Sequence, residues 1–199
     1  MLKKSCLRCG NCCTRFAVCV TPFDVNRIKK QFNRNPLGAQ EIPSLAHMRS
    51  NRRSFEFLEL LPEPPKKERD EPTIIINGDR YLLVLKRKFG DVCTFYQDGK
   101  GCEIYNVRPM LCRCYPFTYA NKGNELVSIR PRACTGLWMP GKKERREYVI
   151  ACNTYKSEVE QYSRWAEEWN TGTGGSLVAF LEFVLQKVST RVTNSEVKQ

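Results

Sequence analysis

Four of the chain's eleven cysteines, Cys6, Cys9, Cys12 and Cys13, fall within the eight residues CLRCGNCC. Thiolates spaced C-x2-C-x2-C can converge on one inorganic centre, with a more distant cysteine completing the set, and Gly10 between them lets the backbone wrap closely. A disulfide framework and a redox dithiol are the competing chemistries. Structural disulfides fit worst, because an odd number of cysteines leaves one over and because clustered thiols in a reducing compartment hold metal or do redox chemistry. Neighbouring side chains of an extended backbone face opposite ways, so Cys13 is expected to point away from the metal of Cys12, toward a second site or the core.

A second constellation, CTFYQDGKGCEIYNVRPMLCRCYPF, carries Cys93, Cys102, Cys112 and Cys114, and Cys134 follows in RACTGLWMPG. Pro109 restrains Arg108 to an extended geometry and shapes the turn leading to Cys112. Arg108, Arg113, Arg130 and Arg132 bring positive charge near these thiols, which favours the ionised, ligating form. Arg108 and Arg113 are also the candidates for binding a cofactor or other anionic group. Cys19 and Cys152 lie in apolar strand and helix patterns where a small hydrophobe suffices, whereas Cys114 alternates with Cys112 and could face either way.

Soft thiolates suit both iron–sulfur clusters and zinc. The triple spacing favours an iron–sulfur cluster, of the 4Fe-4S type, over zinc, which usually takes paired C-x2-C knuckles. His47, the only histidine, is far from any cysteine pair, and no CxxC is followed by His, which excludes a c-type haem. TGTGGS at 171–176 follows a helical pattern rather than a strand and reads as a connection, not a phosphate loop. No Ser-His-Asp or paired-carboxylate arrangement can be argued, so whether the protein is an enzyme stays open.

The elements that must position these residues are short. RFAVCV at 15–20 predicts a strand. TPFDVNRIKKQF then starts a helix with Thr21 as N-cap, Pro22 at the first helical position and Asp24 three residues after the cap. Residues 33–72 read mostly as loop, with SFEFLELL a helical turn or a strand. Asn77-Gly78 predicts a tight hairpin within TIIINGDRYLLVLKRK, and Asp98-Gly99 a second one. NELVSIR at 124–130 is a further strand. From Lys142 to Trp169 the apolar and aromatic residues recur at helical spacing, with the aromatics expected in the core; glycines at 172, 174 and 175 end the run, and Ser176 caps a last helix to about Val192. The fold class is α+β: a small Cys-rich, metal-stapled domain of short antiparallel strands and hairpins over 1–140, closed by two C-terminal helices in a segment over 141–199 that packs on it.

At 199 residues and 41% hydrophobic composition, the chain can build one substantial core. Its net charge of +12 suits an acidic protein or redox partner, with nucleic acid the lesser candidate. Ligating thiolates would offset part of that charge. The longest apolar segment, SLVAFLEFVLQKV at 176–188, is interrupted by Glu182 and is shorter than the ~20 residues of a membrane crossing, so no membrane span is expected. No apolar stretch of signal-peptide length follows MLKKSC, and a cytoplasmic location is expected.

The motifs CLRCGNCC at 6–13, TPFD at 21–24, CEIYNVRPMLCRCYPF at 102–117 and Cys134-Thr135-Gly136 together resemble the family of CxxCxxCC cysteine-cluster proteins, a zinc- or iron-chelating domain. The resemblance implies the ligand set Cys6, Cys9, Cys12, Cys13, Cys93, Cys102, Cys112 and Cys134, with Cys19, Cys114 and Cys152 as extras. Flagellin lysine N-methylases are similar to this family, and through them the resemblance implies methyl transfer to protein lysine with an iron–sulfur cluster and S-adenosylmethionine.

Overall fold

A computed structural model describes residues 10–34, 55–65, 70–88, 91–119, 126–128, 140–172 and 174–196. In chain order these form helix α1 (Asn11–Arg15), helix α2 (Pro22–Arg34), strands β1 (Leu58–Pro62), β2 (Ile74–Ile76), β3 (Asp79–Leu85), β4 (Arg87–Lys88), β5 (Val92–Cys93), β6 (Tyr96–Gln97) and β7 (Gly101–Cys102), a 3-10 turn (Tyr105–Val107), helix α3 (Met110–Cys114), strands β8 (Phe117–Tyr119) and β9 (Leu126–Ser128), and helices α4 (Lys142–Asn170) and α5 (Leu177–Glu196). The fold is α+β, as the sequence pattern predicts.

The sheet at the centre has strand order β1-β3-β2, all antiparallel. β2 and β3 are joined by Asn77 and Gly78, both at positive φ (51° and 93°), the geometry an Asn-Gly hairpin turn supplies without strain. Four successive residues of β3, Leu82 to Leu85, are buried, so both faces of this strand are covered. The stretch predicted as a strand over 15–20 is not one. Arg15 ends α1, and only Val18–Val20 runs along β3: Val20 N donates to Leu83 O (3.0 Å) and Leu85 N to Val18 O (2.9 Å). β2 pairs with residues 79–81 alone, and Val18–Val20 takes up the edge of β3 that β2 leaves open. The predicted Asp98-Gly99 hairpin is formed by β6 and β7; residues 58–62 of the ambiguous SFEFLELL region are strand β1, and β9 lies inside the predicted 124–130.

One hydrophobic cluster joins the sheet to the helices. Ile74, Ile76, Leu83 and Leu85 of the sheet pack with Val25 and Ile28 of α2, with Phe95 between β5 and β6, with Tyr162 and Trp165 of α4, and with Phe180, Leu181, Val184 and Val188 of α5. The Phe23 and Trp165 rings stack at 5.3 Å, and Trp169 meets Phe180 edge-on at 5.4 Å. The end of α4 also satisfies the outer backbone of β2: Asn170 Oδ1 accepts from Ile75 N (2.8 Å), Asn170 Nδ2 donates to Thr73 O (2.9 Å), and Trp169 Nε1 donates to Ile75 O (2.8 Å). Ser176 caps α5 as expected, its Oγ accepting from Ala179 N at 3.2 Å.

A polar network runs through this apolar packing. At the start of α2, Asp24 N donates to Thr21 Oγ1 (3.2 Å) while Thr21 N donates to Asp24 Oδ2 (3.0 Å), the reciprocal cap that the sequence TPFD predicts. Arg27 then bonds Asp24 and spans to α4, where Nη1 and Nη2 donate to Glu158 Oε1 (2.5 Å) and Oε2 (2.8 Å). Asp24 is fully buried and Glu158 nearly so. Burial works against the charge of Arg27, but the bonds and charges of Glu158 and Asp24 outweigh it and raise its pKa above the ordinary arginine value. Removing Glu158 would leave Arg27 half-matched beside a buried carboxylate. Glu158→Ala is therefore expected to destabilise the protein by about 3 kcal/mol in urea unfolding, with Glu158→Gln losing less; a loss below about 1 kcal/mol for the alanine variant would contradict this account.

Candidate metal centre

Gly10 begins the local structure that places the first thiols. It sits at φ 75°, a left-handed conformation that glycine adopts freely, and its carbonyl accepts from Cys13 N (2.8 Å) and Thr14 N (3.1 Å) to start α1. The ring of Tyr96, on β6, lies where a Cβ on Gly10 would be. Because Cys12 and Cys13 stand on a helix, successive side chains turn by about 100° rather than 180°. Their sulfurs are 3.9 Å apart, so the opposite-facing geometry of an extended backbone does not apply to this pair.

Three further cysteines come from separate elements: Cys93 from β5, Cys102 from β7 and Cys112 from α3. The two hairpins and α3 bring them into the electrostatic reach of Cys12. A hydrogen bond from the Cys13 thiol lowers the Cys12 pKa to about 7, against the effect of burial, and the same bond raises that of Cys13. Burial raises the Cys93 thiol and pushes Cys102 up to about 11, with the charges of Cys12 and its neighbours adding to both. Cys112 is raised well above the ordinary thiol value by burial first, then by Cys12, Cys93 and Cys102. Cys13, Cys93, Cys102 and Cys112 are thus held protonated by burial and by the charge of Cys12, a balance that a cation among them would reverse. Such soft donors fit a thiophilic metal. Among the described residues no three His, Cys, Asp or Glu side chains reach metal-holding geometry. Cys6, Cys9 and Cys134 lie outside the described residues, as do Arg130, Arg132 and His47.

Arg108 and Arg113 flank the thiols. The Arg108 guanidinium lies 3.8 Å over the Tyr105 ring, its Nη1 donates to Tyr105 O (2.8 Å), and its charge lowers the pKa of Cys12 and Cys102. Arg113 Nε donates to Arg108 O (3.1 Å) and its Nη2 to Asn106 O (2.5 Å). Burial, then the charges of Arg108 and Arg27, lower the Arg113 pKa.

The remaining cysteines are elsewhere. Cys19 is buried against Leu82 and Val84, and Cys152 is buried on α4, in line with their reading as small hydrophobes. Cys114 is on a helix rather than an alternating strand and faces α4, where it packs with Ala151 and its thiol bonds that of Cys152. Two residues of the site went unnoticed in the sequence. Tyr96 has no local signal of its contact with Gly10, whereas Tyr105, three residues before Arg108, is spaced for the stacking observed.

The family model described as a "putative zinc- or iron-chelating domain" with the CxxCxxCC pattern matches residues 5–135, well over half of the chain. No curated protein and no solved structure matches.

The Gly10–Tyr96 contact makes a local demand that can be tested. Gly10→Ala adds left-handed strain and overpacking against the ring, a destabilisation of about 2 to 4 kcal/mol together. Combining it with Tyr96→Ala should remove the overpacking share and leave the backbone share, as read from denaturant midpoints referred to the Tyr96→Ala single variant. Equal losses with and without the ring would show that Tyr96 does not constrain this loop.

Proposed function

The chain belongs to the CxxCxxCC family of zinc- or iron-chelating domains, and from that membership we propose that it holds an iron–sulfur cluster, of the 4Fe-4S type, and serves in one-electron redox chemistry. Cys6, Cys9 and Cys12 supply the triple spacing, and Cys112 is the remote cysteine that completes the set. Cys13, Cys93, Cys102 and Cys134 fill a second site or extend the first. The observation that supports this reading is the electrostatic coupling of five cysteines drawn from α1, β5, β7 and α3, with the charge of Arg108 acting on two of them. Cysteines that serve only as small hydrophobes, like Cys19, have no need to be drawn together from separate elements in this way.

When bound, the cluster supplies a site for reversible uptake of one electron. The chain's own residues do the rest. Gly10 and Tyr96 fix the loop that carries Cys12 and Cys13. Arg108, held over Tyr105, places a permanent positive charge beside Cys12 and Cys102, which favours thiolates and any added negative charge. Cys93 is buried, which keeps water from that side.

Protein purified without oxygen is expected to be brown, to bleach with dithionite, and to contain iron matched by acid-labile sulfide. Colourless protein with stoichiometric zinc would overturn the iron–sulfur reading in favour of a zinc staple. In the cluster-bearing protein, Arg108→Gln should shift the midpoint potential downward by on the order of 60 mV, a tenfold change for one electron, because the reduced and more negative state loses a nearby cation. An unchanged or raised potential in redox titration would remove Arg108 from this role.

A further inference from the structure

A groove of about 430 Å³ opens between the 3-10 turn and α3 on one wall and the first turns of α4 on the other. One wall is basic. Arg108 and Arg113 line it, and both are oriented by neutral backbone carbonyls, so among the described residues neither guanidinium is matched by a carboxylate. The other wall is acidic. Glu144 and Glu147 of α4 line it, and among the described residues neither forms an ion pair or a hydrogen bond. Two cations and two anions therefore face one cavity without neutralising each other across it.

A position in the first turn of a helix accounts for Glu144 through the helix dipole. It does not account for Glu147, or for two oriented arginines that form no ion pair among the described residues, although the charges of Asp24 and Glu158 reach Arg113. Between the charged walls the lining is mixed, with polar Asn106 and Thr154 beside an apolar part. Met110 and Ala151 contribute, and so does Ile150, which at 64% is the most exposed large hydrophobic side chain among the described residues. Tyr148, which also lines the groove, is anchored by an edge-on contact with Phe117 at 4.7 Å.

We propose that this groove binds a small zwitterion of the α-amino-acid type, with its carboxylate on Arg108 and Arg113, its ammonium on Glu144 and Glu147, and an apolar side chain on Met110 and Ile150. Oriented guanidiniums match a carboxylate in geometry as well as charge. A ligand carrying both charges satisfies both walls, whereas a simple anion leaves the glutamates unmatched and a simple cation leaves the arginines so. The charge of Arg108 also acts on Cys12 and Cys102, so a carboxylate bound to it would offset a charge that those thiols feel. The proposal does not depend on which metal those thiols hold.

Calorimetric titration of the anaerobically purified full chain with each of the twenty α-amino acids tests it, followed by the N-acetyl and methyl-ester derivatives of the tightest binder. Saturable binding of at least one apolar amino acid is expected, weakened about tenfold or more by blocking either its ammonium or its carboxylate. Glu144→Gln with Glu147→Gln should weaken the free amino acid but not its N-acetyl form, and Arg113→Gln should weaken the free amino acid but not its methyl ester. No binding by any of the twenty, or an N-acetyl form that binds as tightly as its parent, would overturn the proposal; the latter would leave an anion site. These comparisons on the unaltered chain need no variant to fold. Metal content is measured on the same samples, so a failure of the metal reading and a failure of the groove register separately.

Discussion

The carboxylate of Asp24 is the point on which the rest of the structure depends. Fully buried, it accepts from Thr21 N and Thr21 Oγ1 on one oxygen and from Arg27 Nη2 and Met110 N on the other. That is about the acceptor capacity of a carboxylate. Two of these donors are backbone groups at helix starts, where no intrahelical acceptor exists. Asp24 therefore fixes the beginning of α2 and the beginning of α3 together, and through Arg27 and Glu158 it fixes both against the middle of α4. Cys112 is two residues beyond Met110, so its position follows from where that one carboxylate sits.

This arrangement explains how so small a set of strands can present thiols at all. β4 to β7 are two-residue strands with few ladder bonds, and such hairpins are marginal alone. They are held by what lies behind them: Phe95, between β5 and β6, is fully buried against Phe32 and Phe57. Cys93 and Cys102 are thereby placed by an aromatic anchor rather than by their own strands. Cys93, Cys102 and Cys112 resist ionisation through burial and the charges of neighbouring cysteines, while the charge of Arg108, held by Tyr105, opposes that resistance at Cys102.

What could be read from the sequence was local. The Thr21–Asp24 cap and the Asn77-Gly78 turn are set by residues within three positions of each other, and both form as read. The triple cysteine spacing identified the metal-chelating family in the same way. What could not be read was decided at a distance. Residues 15–20 carry a strand pattern, but their hydrogen bonds were fixed by the length of β2, which leaves part of β3 unpaired. The directions of Cys12 and Cys13 depended on whether Gly10 opened an extended segment or a helix, and glycine permits both. Arg27 and Glu158 are 131 residues apart, beyond the reach of any spacing rule.

The family match ends at residue 135, yet the core that supports the cysteines does not. Tyr162, Trp165, Phe180 and Leu181 are in the same cluster as Ile74, Leu83 and Phe95, and Asn170 and Trp169 bond the outer edge of β2. Without α4, Arg27 would keep its bond to Asp24 but lose both to Glu158, in a region that admits little water. A partly buried guanidinium with half its partners is unfavourable, and the imbalance would fall on the buried carboxylate that also sets α3. The glutamates of the proposed groove lie on α4 as well. The helices beyond the cysteine motif are thus part of what makes the motif a site: they hold the polar network that orients Cys112, and they form the wall that faces Arg108 and Arg113.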